Sequence, residues 1–99
     1  MNKQESEGNK QQLQVSLDEE TAMGKFANLG FISHSPEEFV IDFVFRPPGS
    51  PKARVLSRVL MTPGHAKRLM GALKENLEKY EKKFGKIKSY EQPTNPIGF

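Results

Sequence analysis

TPGHAKRLMGALKENLEKYEKKFG, residues 62–85, is the stretch whose pattern decides the fold. Thr62 has a hydroxyl able to cap a helix, and Pro63 suits the first helical position, where no amide bond is lost. Gly85 supplies a left-handed stop. Between these signals the apolar residues are Ala66, Met70, Leu73, Leu77, Tyr80 and Phe84. Their spacing alternates between four and three, which is the a/d seam of a heptad repeat. The pattern predicts one helix ending near Phe84, about 33 Å long. Leu69 widens the stripe at the N-terminal end, where the helix is expected to cover a sheet.

Two readings of the stripe stay open. In one, all of it packs on the protein's own sheet. In the other, Ala66 to Leu73 closes that core, and the distal part overhangs to meet a second copy. Leu73, Leu77, Tyr80 and Phe84 are then the oligomer interface. A strand of eight or nine residues spans under about 30 Å, so an overhang is expected.

Working backward from the helix, Ala53 to Met61 reads as a strand. Val55, Ser57, Val59 and Met61 share one face; Leu56, Arg58 and Leu60 share the other. Pro47-Pro48-Gly49-Ser50-Pro51 cannot continue a ladder and predicts a projecting hairpin loop. Glu38 to Arg46 is the clearest strand, with Phe39, Ile41, Phe43 and Phe45 on the face expected to anchor the core. Each contributes roughly 2 kcal/mol when buried. Asp42 on the opposite face and Arg58 are equidistant from Ser50, so a structural cross-strand ion pair is expected.

His34-Ser35-Pro36-Glu37 predicts a turn. Lys25 to Ser33 reads as another strand, in which Gly30 suggests a bulge or a close backbone contact. Leu13, Val15 and Leu17 alternate with Gln14, Ser16 and Asp18, a further strand with one buried face. Lys86 to Tyr90 alternates too and suggests a short edge strand. The expected fold class is α+β: an antiparallel meander of three to four strands, then one long C-terminal helix packed on the sheet. Residues 1–12 and 89–99 read as flexible tails, leaving 13–88 as a single domain.

Ninety-nine residues with 35% hydrophobic content give a small core for which self-association would help. The chain has no cysteine, which excludes disulfides, thiolate metal sites and cysteine nucleophiles. No apolar run resembles a signal peptide or a membrane span, so a cytoplasmic protein without membrane partners is expected. Charge is unevenly spread. Met1 to Ser50 holds four basic and eight acidic residues, whereas Pro51 to Lys88 holds eleven basic and three acidic. Arg54, Lys67, Arg68, Lys74, Lys82, Lys83 and Lys86 are candidates for an anionic-partner surface, which makes nucleic acid a second partner class. Glu75 with Lys79 and Glu78 with Lys82 are i,i+4 pairs that read instead as helix stabilisation.

Nothing in the sequence assembles a catalytic or cofactor site. His34 and His65 fall in different elements, and neither joins a metal-ligand pattern. Glu19-Glu20 and Glu37-Glu38 are adjacent pairs that point apart in extended chain, and no serine sits in a nucleophile motif. The expected catalytic, cofactor, metal and small-molecule sets are therefore empty. The leading expectation is a non-enzymatic homodimer or higher homo-oligomer. A nucleic-acid or ribonucleoprotein accessory protein is the alternative.

A family resemblance covers about Leu13 to Ile87. It rests on Phe26-Ala27-Asn28, Ser35-Pro36-Glu37-Glu38-Phe39 and Ile41-Asp42-Phe43 in the first half. Ser57-Arg58-Val59, Thr62-Pro63-Gly64-His65-Ala66-Lys67, Leu73-Lys74-Glu75-Asn76-Leu77, Tyr80-Glu81 and Phe84-Gly85 carry it through the second. Together they resemble the small prokaryotic family catalogued as domain of unknown function thirty-four sixty-seven. The resemblance implies no activity, cofactor or catalytic residue. Phe26 stands where the family pattern leads one to expect tyrosine, so a hydroxyl there is not essential to this chain.

Overall fold

The structure is a computed structural model that describes residues 12–88. The expected tails at 1–11 and from 89 onward lie outside the described residues. The elements in order are α1 (Glu19–Ala22), β1 (Leu29–His34), β2 (Phe39–Phe45), β3 (Arg54–Met61) and α2 (Pro63–Phe84). The three strands form one antiparallel meander in the order β1-β2-β3. The fold class is thus α+β, with a three-stranded meander followed by one long C-terminal helix.

The strand expected at Leu13 to Asp18 does not form. Leu13, Val15 and Leu17 are exposed, Val15 to 81%. Alternation makes a segment fit to join a sheet edge, but it does not supply the edge. Asp18 instead caps α1, its Oδ1 accepting from the Thr21 amide at 2.9 Å. Thr21 holds the Asp18 carboxyl below its ordinary value through these bonds.

β1 begins four residues later than the apolar run suggested. Before it, the Phe26 ring meets Phe45 edge-on, with centroids 6.1 Å apart. The Asn28 side chain then clamps the far end of β2: its Nδ2 donates to the Arg46 carbonyl at 3.0 Å, and its Oδ1 accepts from the Arg46 amide at 2.9 Å. A side-chain amide here replaces a ladder pair. Gly30 sits in regular register opposite Phe43, so of the two expectations the bulge is absent there, and a Cβ at Gly30 would lie 3.5 Å from the Asp42 carbonyl oxygen, an ordinary backbone contact. The ladder irregularity lies instead between β2 and β3, at Phe43/Val44.

The two hairpin turns follow from local chemistry. The Ser35 amide donates to the Glu38 carbonyl at 2.9 Å, and its hydroxyl accepts from the amides of Glu37 and Glu38. In the Pro-rich loop, the Ser50 amide donates to the Pro47 carbonyl at 3.0 Å. Pro48 and Gly49 are the central residues, and Gly49 takes φ +77°. That is the type II arrangement, in which the third residue must be left-handed.

The face of β2 expected to anchor the core does not. Phe43 is 41% exposed. The buried residues are Val44, at 1%, and Asp42, at 8%, on the opposite face. Register explains Val44: it is central, flanked by Leu29 on β1 and Val55 on β3. On the phenylalanine face Phe39, Ile41 and Phe45 are half-buried, with Phe26 against Phe45, so among the described residues the burial energy assigned to it is only partly realised.

α2 begins one residue after β3. Thr62 Oγ1 accepts from the His65 amide at 3.2 Å, and Pro63 opens the helix. Gly85 ends it at φ +100°, its amide donating to the Glu81 carbonyl. The helix is not packed down on the sheet, since none of its residues is buried. A single residue, Thr62, connects β3 to α2. The radius of gyration is 17.0 Å, against about 13 Å for a compact domain of this length. Lys86, Ile87 and Lys88 form no edge strand, and the rest of that expected element lies outside the described residues.

Candidate interaction surface

Helical periodicity collects the apolar side chains of α2 on one stripe, and the missing covering layer leaves them in solvent. Met70, Leu73, Leu77, Tyr80 and Phe84 are all exposed, Leu73 to 58% and Phe84 to 65%. Ala66, at the base beside the sheet, is half-buried. The expectation that Ala66 to Leu73 closes the protein's own core is thus corrected: beyond Ala66, Met70 and Leu73 are as bare as the distal residues.

The distal end has shape. Tyr80 and Phe84 lie one turn apart, with ring centroids 4.9 Å from each other and planes tilted by 45°. The Lys83 ammonium sits 5.4 Å from the Phe84 centroid, within cation–π range. After Gly85 the chain turns back, and the Ile87 amide donates to Glu81 Oε2 at 2.9 Å. Leu73, Leu77, Tyr80, Phe84 and Ile87 thereby line one open apolar concavity of about 480 Å³. Ile87 is the residue that sequence reasoning missed. Its signal was present, since it falls three positions after Phe84 and continues the four–three spacing beyond the helix stop.

The sheet adds further bare apolar surface. Phe31 and Ile32 on β1, Phe43 on β2, and Val55, Val59 and Leu60 on β3 are exposed. They lie on both faces, because successive side chains alternate. The outer edge of β1 carries no lysine, arginine, carboxylate or proline, the usual guards of a free strand edge.

Asp42 stands directly opposite Arg58 in the ladder. Arg58 Nε donates to Oδ1 at 2.8 Å and Nη2 to Oδ2 at 2.9 Å, a bidentate pair. The guanidinium, chiefly through these bonds, holds the Asp42 carboxyl below its ordinary value, and the carboxylate raises Arg58 in turn. The carboxylate side chain is 11% exposed and the arginine 63%. Asp42 is therefore tucked beneath a side chain that faces water. It is placed to hold β2 to β3.

The basic candidates do not converge. Arg54, Lys67, Arg68, Lys74, Lys82, Lys83 and Lys86 are all exposed. On the helix, however, Lys67 and Lys74 fall on one side of the apolar stripe, Lys83 on the other, and Arg68 and Lys82 on the back. Glu75–Lys79 and Glu78–Lys82 make no ion pair within 4.0 Å; among the described residues Arg58–Asp42 is the one such contact. Holding two long exposed side chains in one geometry returns little energy in water. His34 stacks on Phe39, with centroids 5.3 Å apart, and His65 is exposed in the first turn of α2. Among the described residues no three histidine or acidic side chains gather as metal ligands, and no helix is long and apolar enough to cross a membrane.

Comparison with known proteins gives a family and nothing finer. Residues 1–89 match the family described as protein of unknown function DUF3467. The chain belongs to that family. No curated protein and no solved structure matches it. This member of DUF3467 thus has its fold and exposed surfaces to indicate what it does.

Proposed function

We propose that this DUF3467 protein is a non-enzymatic interaction module that works as a homodimer or higher homo-oligomer. Leu73, Leu77, Tyr80 and Phe84 of α2 form the centre of its interface. A single observation carries the reading: Val44 is the one buried hydrophobic residue among the described residues, while most of the helix stripe and several large apolar side chains on each sheet face are exposed. A chain that hides so little apolar surface alone cannot offset the conformational entropy of folding. Association supplies the missing burial and ties stability to concentration. Cytoplasmic action belongs to the same proposal, and its support is compositional.

Sedimentation equilibrium from nanomolar to high micromolar concentration tests it. A mass above the monomer at micromolar concentration is expected, and Leu77→Asp should shift the population toward monomer. A monomer throughout the range would overturn the reading.

A second reading, binding of an anionic polymer, has one observation behind it: the seven basic candidates are exposed and make no ion pair among the described residues. Binding to DNA and RNA across a salt series decides it. A steep loss of affinity with rising salt supports it, and no binding at low ionic strength rejects it.

A further inference from the structure

The α2 stripe is narrow. In heptad terms Met70, Leu77 and Phe84 are a positions, and Ala66, Leu73 and Tyr80 are d positions. The flanking e positions hold Lys67, Lys74 and Glu81; the g positions hold Leu69, Asn76 and Lys83. Apart from Leu69, polar groups border the seam on both sides. A two-column stripe is the width that a second helix covers, whereas a sheet needs a broader one.

Side-chain sizes run in opposite directions along the seam. Its base carries Ala66 and its tip Phe84. In a parallel pair, like meets like: Ala66 faces Ala66 and leaves a void, while Phe84 crowds Phe84. Reversing one helix matches small with large. Centred on residue 75, an antiparallel pair has three kinds of layer, Ala66 with Phe84, Met70 with Tyr80, and Leu73 with Leu77, each occurring twice. All six seam residues are then covered, and no other heptad register covers as many.

The flanks agree. In that register Lys67 faces Glu81 of the second copy, and Glu81 faces its Lys67, two opposite-charge pairs related by the two-fold. Asn76 meets Asn76, which can both donate and accept. Leu69 lies under the aliphatic stem of the second copy's Lys83. Lys74 facing Lys74 is the one like-charge contact. In the parallel register the flanking pairs within α2 are Leu69 with Lys74 and Asn76 with Glu81, and no Lys–Glu pair forms.

We infer that two copies of this chain join through an antiparallel α2–α2 pair with its two-fold axis at residue 75, placing the two sheets at opposite ends. The inference rests on the homo-oligomer reading and adds its geometry.

The chain has no native cysteine, so single spin labels can be placed cleanly. Arg68→Cys, Glu75→Cys and Lys82→Cys put labels on one outward stripe, away from the seam. Pulsed electron-electron distances are then read in the full-length protein. The expected result is a minimum at 75 and equal, longer distances at 68 and 82, each adding roughly 21 Å of axial offset. Equal distances at all three positions mean a parallel pair; a minimum elsewhere means another register. Either result overturns this inference and leaves the oligomer standing. No dipolar coupling, together with a monomer mass, overturns both.

Discussion

Asp42 is where charge and structure meet most closely in this protein. Its carboxylate is nearly buried and held by two donors from one guanidinium, itself open to water. Arg58 lowers the carboxyl from its ordinary 3.8, so the pair contributes stability above that pH and loses it as pH falls through the lowered value. Asp42→Asn should therefore melt below the native protein at neutral pH. The two melting temperatures should converge as the pH is taken well under 3.8. Melts followed by circular dichroism across an acid series check this. A gap independent of pH would mean that the pair is not the source. The pair was accessible on paper, because residues 42 and 58 are equidistant from the loop centre at Ser50. The ladder has that register only beyond the Phe43/Val44 irregularity: nearer the loop, Val44 pairs with Val55 and Phe45 with Arg54, one residue out of step, and the shift brings Asp42 opposite Arg58.

At the scale of the element, α2 is specified by its own ends. Thr62 supplies the cap bond to the His65 amide, so Thr62→Ala should cost about 1 kcal/mol and fray the first turn. Gly71 lies in the helix interior, and a Cβ added there meets nothing within 4 Å. Gly71→Ala should stabilise the protein by roughly 1 kcal/mol through helix propensity alone. Chemical denaturation measures both changes. Loss of stability in Gly71→Ala would show that the outer face of the helix is in contact with something. β2, β3 and α2 were legible element by element, because their periodicity is uninterrupted and their ends carry strong turn chemistry. The Leu13–Leu17 strand was not, because a strand is completed by a neighbour and no signal within a segment reports whether that neighbour is there.

For the whole molecule, the arrangement leaves apolar surface wherever the sequence led one to expect a core. If association supplies the missing burial, folding and assembly are linked. The melting temperature should then rise with protein concentration, and Leu77→Asp should lower it and flatten the dependence. Scanning calorimetry over a hundredfold concentration range would check this, and a melting temperature independent of concentration would argue against linked folding. The extended shape also bears on partners. A helix that projects from the sheet offers a long seam, and its basic residues lie around that seam rather than in one patch.

The sequence by itself determined the α+β class, the order of β2, β3 and α2, the helix boundaries and the family. These depend on local periodicity, caps and turns, each contained within a few residues. Which face of β2 is buried, the absence of the first strand and the bareness of the whole α2 stripe were decided only by the tertiary structure. Burial belongs to pairs of surfaces, and among the described residues no second surface covers the helix stripe.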